Sequence, residues 1–90
     1  MVDRLVTVHT PGGLLARPAA LFVQAAARAP ARVVIAKGDR GPVSARSILA
    51  VLWLGVRAGD EVVLSAAGDG AEDALDELAA LLGDRGEPGT

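Results

Sequence analysis

The chain has no cysteine and no tyrosine, and Phe22 and Trp53 are its only aromatic residues. Without cysteine there are no disulfides and no thiolate metal sites, which fits a reducing compartment, and no metal or cofactor is expected. With so few aromatics, the core has to be built from Val, Leu, Ile and Ala, which can pack tightly if their volumes match. Long apolar runs are missing too. The start, Met1-Val2-Asp3-Arg4, lacks an apolar core, and nowhere do about twenty apolar residues follow one another, so neither a signal peptide nor a membrane insertion is expected. A soluble, cytoplasmic protein is the expectation. There is no excess of positive charge either: nine basic residues against eleven acidic ones give −2, and the basic residues are dispersed along the chain, which argues against a nucleic-acid footprint.

What is present is a short chain rich in aliphatics. Its 90 residues are 51% apolar. A folded chain of this length buries about 60–65% of the surface its unfolded form exposes. One domain over residues 1–83 is expected, with a mobile C-terminal tail at 84–90.

From Arg4 to His9, Val6 and Val8 alternate with Leu5, Thr7 and His9, the period of a half-buried strand that ends at Pro11-Gly12-Gly13. Ala16 to Arg28 is rich in helix formers, with Ala19, Phe22, Val23 and Ala26 at helical spacing as the buried face, and Pro30 stops it. Arg32 to Lys37 is a β-branched run. Gly38 to Pro42 is a dense turn signal before a short strand at Val43 to Ala45, so this part predicts a hairpin. Ser47 opens a second helix, Ile48 to Leu54, that Gly55 can end in the left-handed conformation. Glu61 to Ala66 alternates around Val62 and Leu64 as the last strand. From Ala71 to Leu82, Ala74, Leu75, Leu78, Leu81 and Leu82 form one stripe, with Glu72, Asp73, Asp76 and Glu77 placed early, where the helix dipole favours negative charge. The order β-α-β-β-α-β-α predicts an α+β fold, a split βαβ arrangement with one sheet covered on one face by helices.

The chain is organised around Gly13-Leu14-Leu15-Ala16-Arg17-Pro18-Ala19-Ala20, where a glycine-terminated strand turns into a helix. Pro18 fits the first helical turn because its missing N–H would have no partner there, and the free N–H groups around it carry the positive end of the dipole. Arg17 adds a full charge, so the stretch suits an anion. On the signature Gly-Leu-Leu-Ala-Arg-Pro-Ala, on Ser47-Ile48-Leu49 and on the Leu54-Gly55 helix ending, the sequence resembles the HPr family, the histidine-containing phosphocarriers of the bacterial phosphoenolpyruvate:sugar phosphotransferase system. The resemblance spans residues 1 to about 82. It implies an open-faced β-sandwich, a four-stranded sheet with three helices on one face. It also implies that the phosphoryl-accepting histidine of the family corresponds to Leu15, whose side chain has no lone pair with which to attack phosphorus.

The resemblance further implies that Ala16 and Arg17 lie where phosphoryl oxygens are received, and a guanidinium fork suits them. By itself Arg17 also fits an ordinary exposed arginine. Ser47 is a good N-cap, and nothing more is needed to explain it. In many family members the serine here is phosphorylated by a dedicated kinase, and a phosphate at a helix start beside Arg46 would be well placed. Ile48, Leu49, Leu52 and Trp53 cannot all point inward on so short a helix, and Val51 and Leu54 are the better core candidates. The family docks its partners on the outer face of this helix beside the first helix, which makes Ala20, Ile48, Leu49, Leu52 and Trp53 the candidate docking patch, with Trp as an anchor. Well-known members surround that patch with lysines, where this chain has Gln24, Ala27 and Ala50. His9 is expected to be a plain strand-edge residue.

These features imply a non-enzymatic, HPr-like module that docks to enzyme I, to sugar-specific phosphotransferase components or to a transcriptional regulator and transfers no phosphoryl group. The alternative is a phosphocarrier whose histidine was replaced by Leu15 through drift or engineering, its parent relaying phosphoryl groups from enzyme I to the sugar-specific components. A fold with no link to sugar uptake is the third possibility, and the intact Arg17-Pro18 pair speaks against it.

Overall fold

The computed structural model describes residues 1–83, so the tail expected at 84–90 lies outside the described residues. Strand-forming runs pair into one antiparallel sheet: β1 (Val2–Thr7), β2 (Arg32–Lys37), β3 (Arg40–Ser44) and β4 (Glu61–Ala67), in the spatial order β1-β4-β2-β3. Helices α1 (Ala16–Arg28), α2 (Ile48–Leu54) and α3 (Ala71–Leu81) complete the predicted β-α-β-β-α-β-α order. β4 lies between β1 and β2 and runs antiparallel to both, which is the split βαβ arrangement.

The period of two along each strand decides which residues meet the helices. Val6 is paired with Val62, Ile35 with Leu64 and Val33 with Ala66, and all six are buried with Phe22, Leu54, Leu75 and Leu78. On the other side Leu5 pairs with Val63, and both are exposed. The result is a sheet with one face under helices and the other open. At about 25 cal/mol per Å² of apolar surface removed from water, the aliphatic core is the main stabilising term. Outside it, Arg4 ties β1 to α3 through ion pairs with Glu72 and Asp76.

Several boundaries differ from the sequence-based expectation. β1 runs over Val2–Thr7 instead of Arg4 to His9, because its length is set by the reach of β4: Val2 pairs with Ala66 and Thr7 with Glu61. Beyond it, the His9 N–H turns to the Leu82 carbonyl at the end of α3, 2.7 Å away. β3 begins at Arg40, paired with Lys37 across a Gly38-Asp39 turn, and it includes Pro42, which costs no ladder bond on the outermost strand of the sheet. The buried face of α1 includes Ala25, whereas Val23 is only half-buried. On α3, Leu81 is exposed and Ala79 buried, since a step of 100° per residue brings Ala79 closer than Leu81 to the centre of the stripe formed by Leu75, Leu78 and Leu82.

The loop between β1 and α1 is anchored by backbone contacts at Gly13. Its N–H donates to the Thr10 carbonyl at 2.9 Å, and the N–H of Leu14 donates to the Val56 carbonyl at 3.0 Å. Gly13 has φ +65°, and a Cβ there would lie 2.2 Å from the Val56 oxygen. Leu14 enters the core and Leu15 remains outside. Gly13→Ala combines a left-handed conformation with a backbone clash, and we expect it to lower the unfolding free energy by about 2–4 kcal/mol. Urea unfolding checks this; a loss within error of zero would mean that the loop is not held at Gly13.

Candidate functional site at the start of the first helix

Leu15 is the N-cap of α1, with φ −119° and ψ 151°, and its aliphatic side chain makes no cap hydrogen bond. The first-turn N–H groups of α1 are therefore left to solvent or to a ligand. Ala16 has φ 51°, the only positive φ outside glycine among the described residues. Such a conformation costs an L-residue on the order of 1–2 kcal/mol. It lets Leu14 stay buried while Leu15, Ala16 and Arg17 are exposed in succession. Among the described residues no carboxylate pairs with Arg17. Pro18 is half-buried in the first turn.

The second helix contributes the neighbouring face. Ser47 Oγ accepts the Ala50 N–H at 3.2 Å, and Gly55, at φ 65°, closes the helix in the left-handed region. Seven residues make two turns, so only Val51 and Leu54 reach the core. Ile48, Leu49, Leu52 and Trp53 are all exposed, Leu49 at 78% and Trp53 at 57%, and half-buried Ala20 lies on α1, which packs against α2. Arg46 does not stand free beside Ser47 as expected. Its guanidinium donates to the Ala29 carbonyl at 2.9 Å and the Ala26 carbonyl at 3.4 Å, where it covers the C-terminal end of α1.

Sequence reasoning missed a set of cations. Leu15 forms one wall of a groove of about 760 Å³ whose other walls carry Lys37, Asp39, Arg40, Arg57 and Asp60. Lys37 Nζ donates to the Gly55 carbonyl and to Asp60 Oδ2, each at 2.8 Å. Asp60 Oδ2 also accepts the Arg57 N–H at 2.8 Å. The hydrogen bond from Lys37, followed by the one from the Arg57 N–H, holds the Asp60 carboxyl below the usual aspartate range. Arg40 donates from Nη1 to the Trp53 carbonyl at 3.3 Å, and its guanidinium carbon lies 5.5 Å from the Trp53 ring centroid, a cation–π contact. Dispersed in sequence, Lys37, Arg40 and Arg57 are gathered by the fold. The available signal was their position at turns: Lys37 and Arg40 flank Gly38-Asp39, and Arg57 follows Gly55 closely. His9 is an exposed residue at the other end of β1 from the N-terminus and does not line this groove. No helix among the described residues is long and apolar enough to cross a membrane.

A family model described as "PTS HPr component phosphorylation site" matches residues 2–84. The chain is 50% identical over 82 residues to the phosphocarrier protein HPr of Streptomyces coelicolor, covering 91% of this chain and 88% of that one. To the HPr-like protein Crh of Bacillus subtilis it is 46% identical over 82 residues, covering 91% and 95%. The crystal structure of HPr from Bacillus anthracis superposes with a TM-score of 0.86 at 42% identity, covering 90% of this chain and 95% of that one.

Proposed function

We propose, from the premise that this chain belongs to the HPr family of the phosphotransferase system, that it is an HPr-like docking or regulatory module that carries no phosphoryl group itself. The observation that supports this is the start of α1: uncapped N–H groups and Arg17, which has no carboxylate partner among the described residues, surround an exposed leucine. Ala16 and Arg17 are the groups for phosphoryl oxygens, and Leu15 occupies the family's histidine position. Transfer to a carrier of this kind needs a neutral imidazole nitrogen as nucleophile, with N–H groups and a guanidinium receiving the charge on the oxygens. A leucine supplies none.

The partners are enzyme I, sugar-specific components or a transcriptional regulator in the cytoplasm, held on Ala20, Ile48, Leu49, Leu52 and Trp53. Leu15 extends this apolar surface where a carrier would have its reactive ring. The lysines absent from Gln24, Ala27 and Ala50 are partly replaced by Arg40 and Arg57 at the other border of Leu15. Ser47 is the candidate for regulation, since a phosphate there would bring nearly two negative charges to the positive end of α2. It would compete for Arg46 with the carbonyls of α1.

Leu15→His should gain an acid-labile phosphoryl group from phosphoenolpyruvate and enzyme I, whereas the unchanged protein gains none. Mass-resolved phosphate on both proteins decides this. Labelling of the unchanged protein, at His9 for example, would sink the proposal, and a folded Leu15→His variant without label would show that more than a nucleophile is missing. Trp53→Ala should weaken binding to enzyme I by about 2 kcal/mol, roughly thirtyfold, and Leu49→Ala by less. Calorimetry with both variants and unchanged affinities would exclude this face. A Ser47-phosphorylated sample should keep its melting temperature within a few degrees, and failure of an HPr-type kinase to modify Ser47 would reduce the residue to its capping role.

A further inference from the structure

We propose that the groove between the β2–β3 turn and the α2–β4 connection is a binding site for a small hydroxylated phosphomonoester. Its phosphoryl oxygens are received by Arg57, Arg40 and Lys37, and one of its hydroxyls donates to Asp39. The volume of about 760 Å³ lies within the roughly 300–1,000 Å³ range of small-molecule sites.

The cations are unevenly engaged: Arg17 and Arg32 also have no carboxylate partner among the described residues, but neither lines this groove. Arg4 is held by Glu72 and Asp76, Arg28 by Glu77, and Arg46 by carbonyls of α1. Among the described residues, Arg40 and Arg57 have no carboxylate partner, and both line the groove. Lys37 does have one, but it is held in place by Asp60 and Gly55 and keeps a third donor for a ligand. Arg40 is likewise positioned by the Trp53 carbonyl and ring, so two of the three cations are ordered before any ligand arrives.

The glycines leave the approach open. A Cβ at Gly38 would meet nothing within 4 Å, and one at Gly55 would meet only Arg40 Nη1 at 3.9 Å. Asp39 and Asp60 on the same walls disfavour a ligand that is anionic throughout, which is why a phosphate with a neutral, hydroxyl-bearing body fits better than inorganic phosphate. Three cations against two carboxylates leave the groove at +1. The body of the ligand rests against Leu15. The groove is assigned from its own residues, and it holds whether or not Leu15 stands in for a histidine.

The test is an amide NMR titration with ribose 5-phosphate, with ribose and inorganic phosphate as controls. Saturable shifts confined to Gly38, Asp39, Gly55 and Arg57 are expected with ribose 5-phosphate and none with ribose. Arg57→Ala should weaken binding by about tenfold, as for the loss of one charge-assisted hydrogen bond. Its amide bond to Asp60 survives the change, so the fold should hold, and dispersed amide signals verify that. Arg28→Ala, a cation on another face, should leave affinity unchanged. Shifts that do not saturate, equal affinity for inorganic phosphate, or an Arg57→Ala protein that binds as before would each overturn the proposal.

Discussion

The close approach of Gly13 to the Val56 carbonyl is the constraint on which the functional end of the molecule depends. Only a residue without Cβ can stand there, since 2.2 Å leaves no room for a carbon atom. The bond from Leu14 to Val56 ties the same loop to the segment after α2. Through this contact the start of α1, the end of α2 and the Arg57 turn become one surface, although more than forty residues separate Gly13 from Arg57 in sequence. The left-handed Ala16 follows directly. With Leu14 committed to the core and the helix direction set by packing on the sheet, one residue has to absorb the change of direction, and the conformational cost is borne at the exposed site rather than in the core.

Two kinds of surface meet at Leu15. On one side is the apolar outer face of α2, which exists because a helix of seven residues can bury only two large side chains. On the other is a cationic groove assembled from two turns. Arg40 belongs to both, with its guanidinium carbon 5.5 Å from the Trp53 ring centroid and the residue itself among those lining the groove. A partner seated on Trp53 and a ligand in the groove would therefore compete for or share the same arginine. Acidic residues are concentrated elsewhere, on α3, where Glu72 and Asp76 pair with Arg4 and Glu77 with Arg28. A net charge of −2 thus hides a separation in which the Leu15 end carries the positive side.

Much of this was legible from the residues in order. Periodicity, the β-branched run and the turn and cap signals identified the seven elements of the described residues, and α1 ends before Pro30 and α2 lies between Ser47 and Gly55 as expected. The length of α2 showed that its apolar residues could not all be buried and favoured Val51 and Leu54 for the core; the exposure of all four of Ile48, Leu49, Leu52 and Trp53 came from how the helix packs. Boundaries at β1 and β3 were not legible, because a strand extends as far as its neighbour offers hydrogen-bond partners, and β4 is nearly sixty residues away from the start of β1.

The sequence by itself determined what acts over a few residues: an aliphatic core, alternating strands, the Ser47 and Gly55 caps of α2 and a motif that brings a charge to a helix start. These depend on side-chain chemistry and chain stiffness, which are local. Tertiary structure decided what has to be brought together across the chain. Lys37, Arg40 and Arg57 form a groove only because the hairpin turn and the α2–β4 connection lie at the same end of the sheet as Leu15. Arg46, adjacent to Ser47 in sequence, is drawn away from it by the Ala26 and Ala29 carbonyls at the end of α1. Exposed charges go to the nearest uncompensated partner in space, and no spacing in the sequence records where that partner will be.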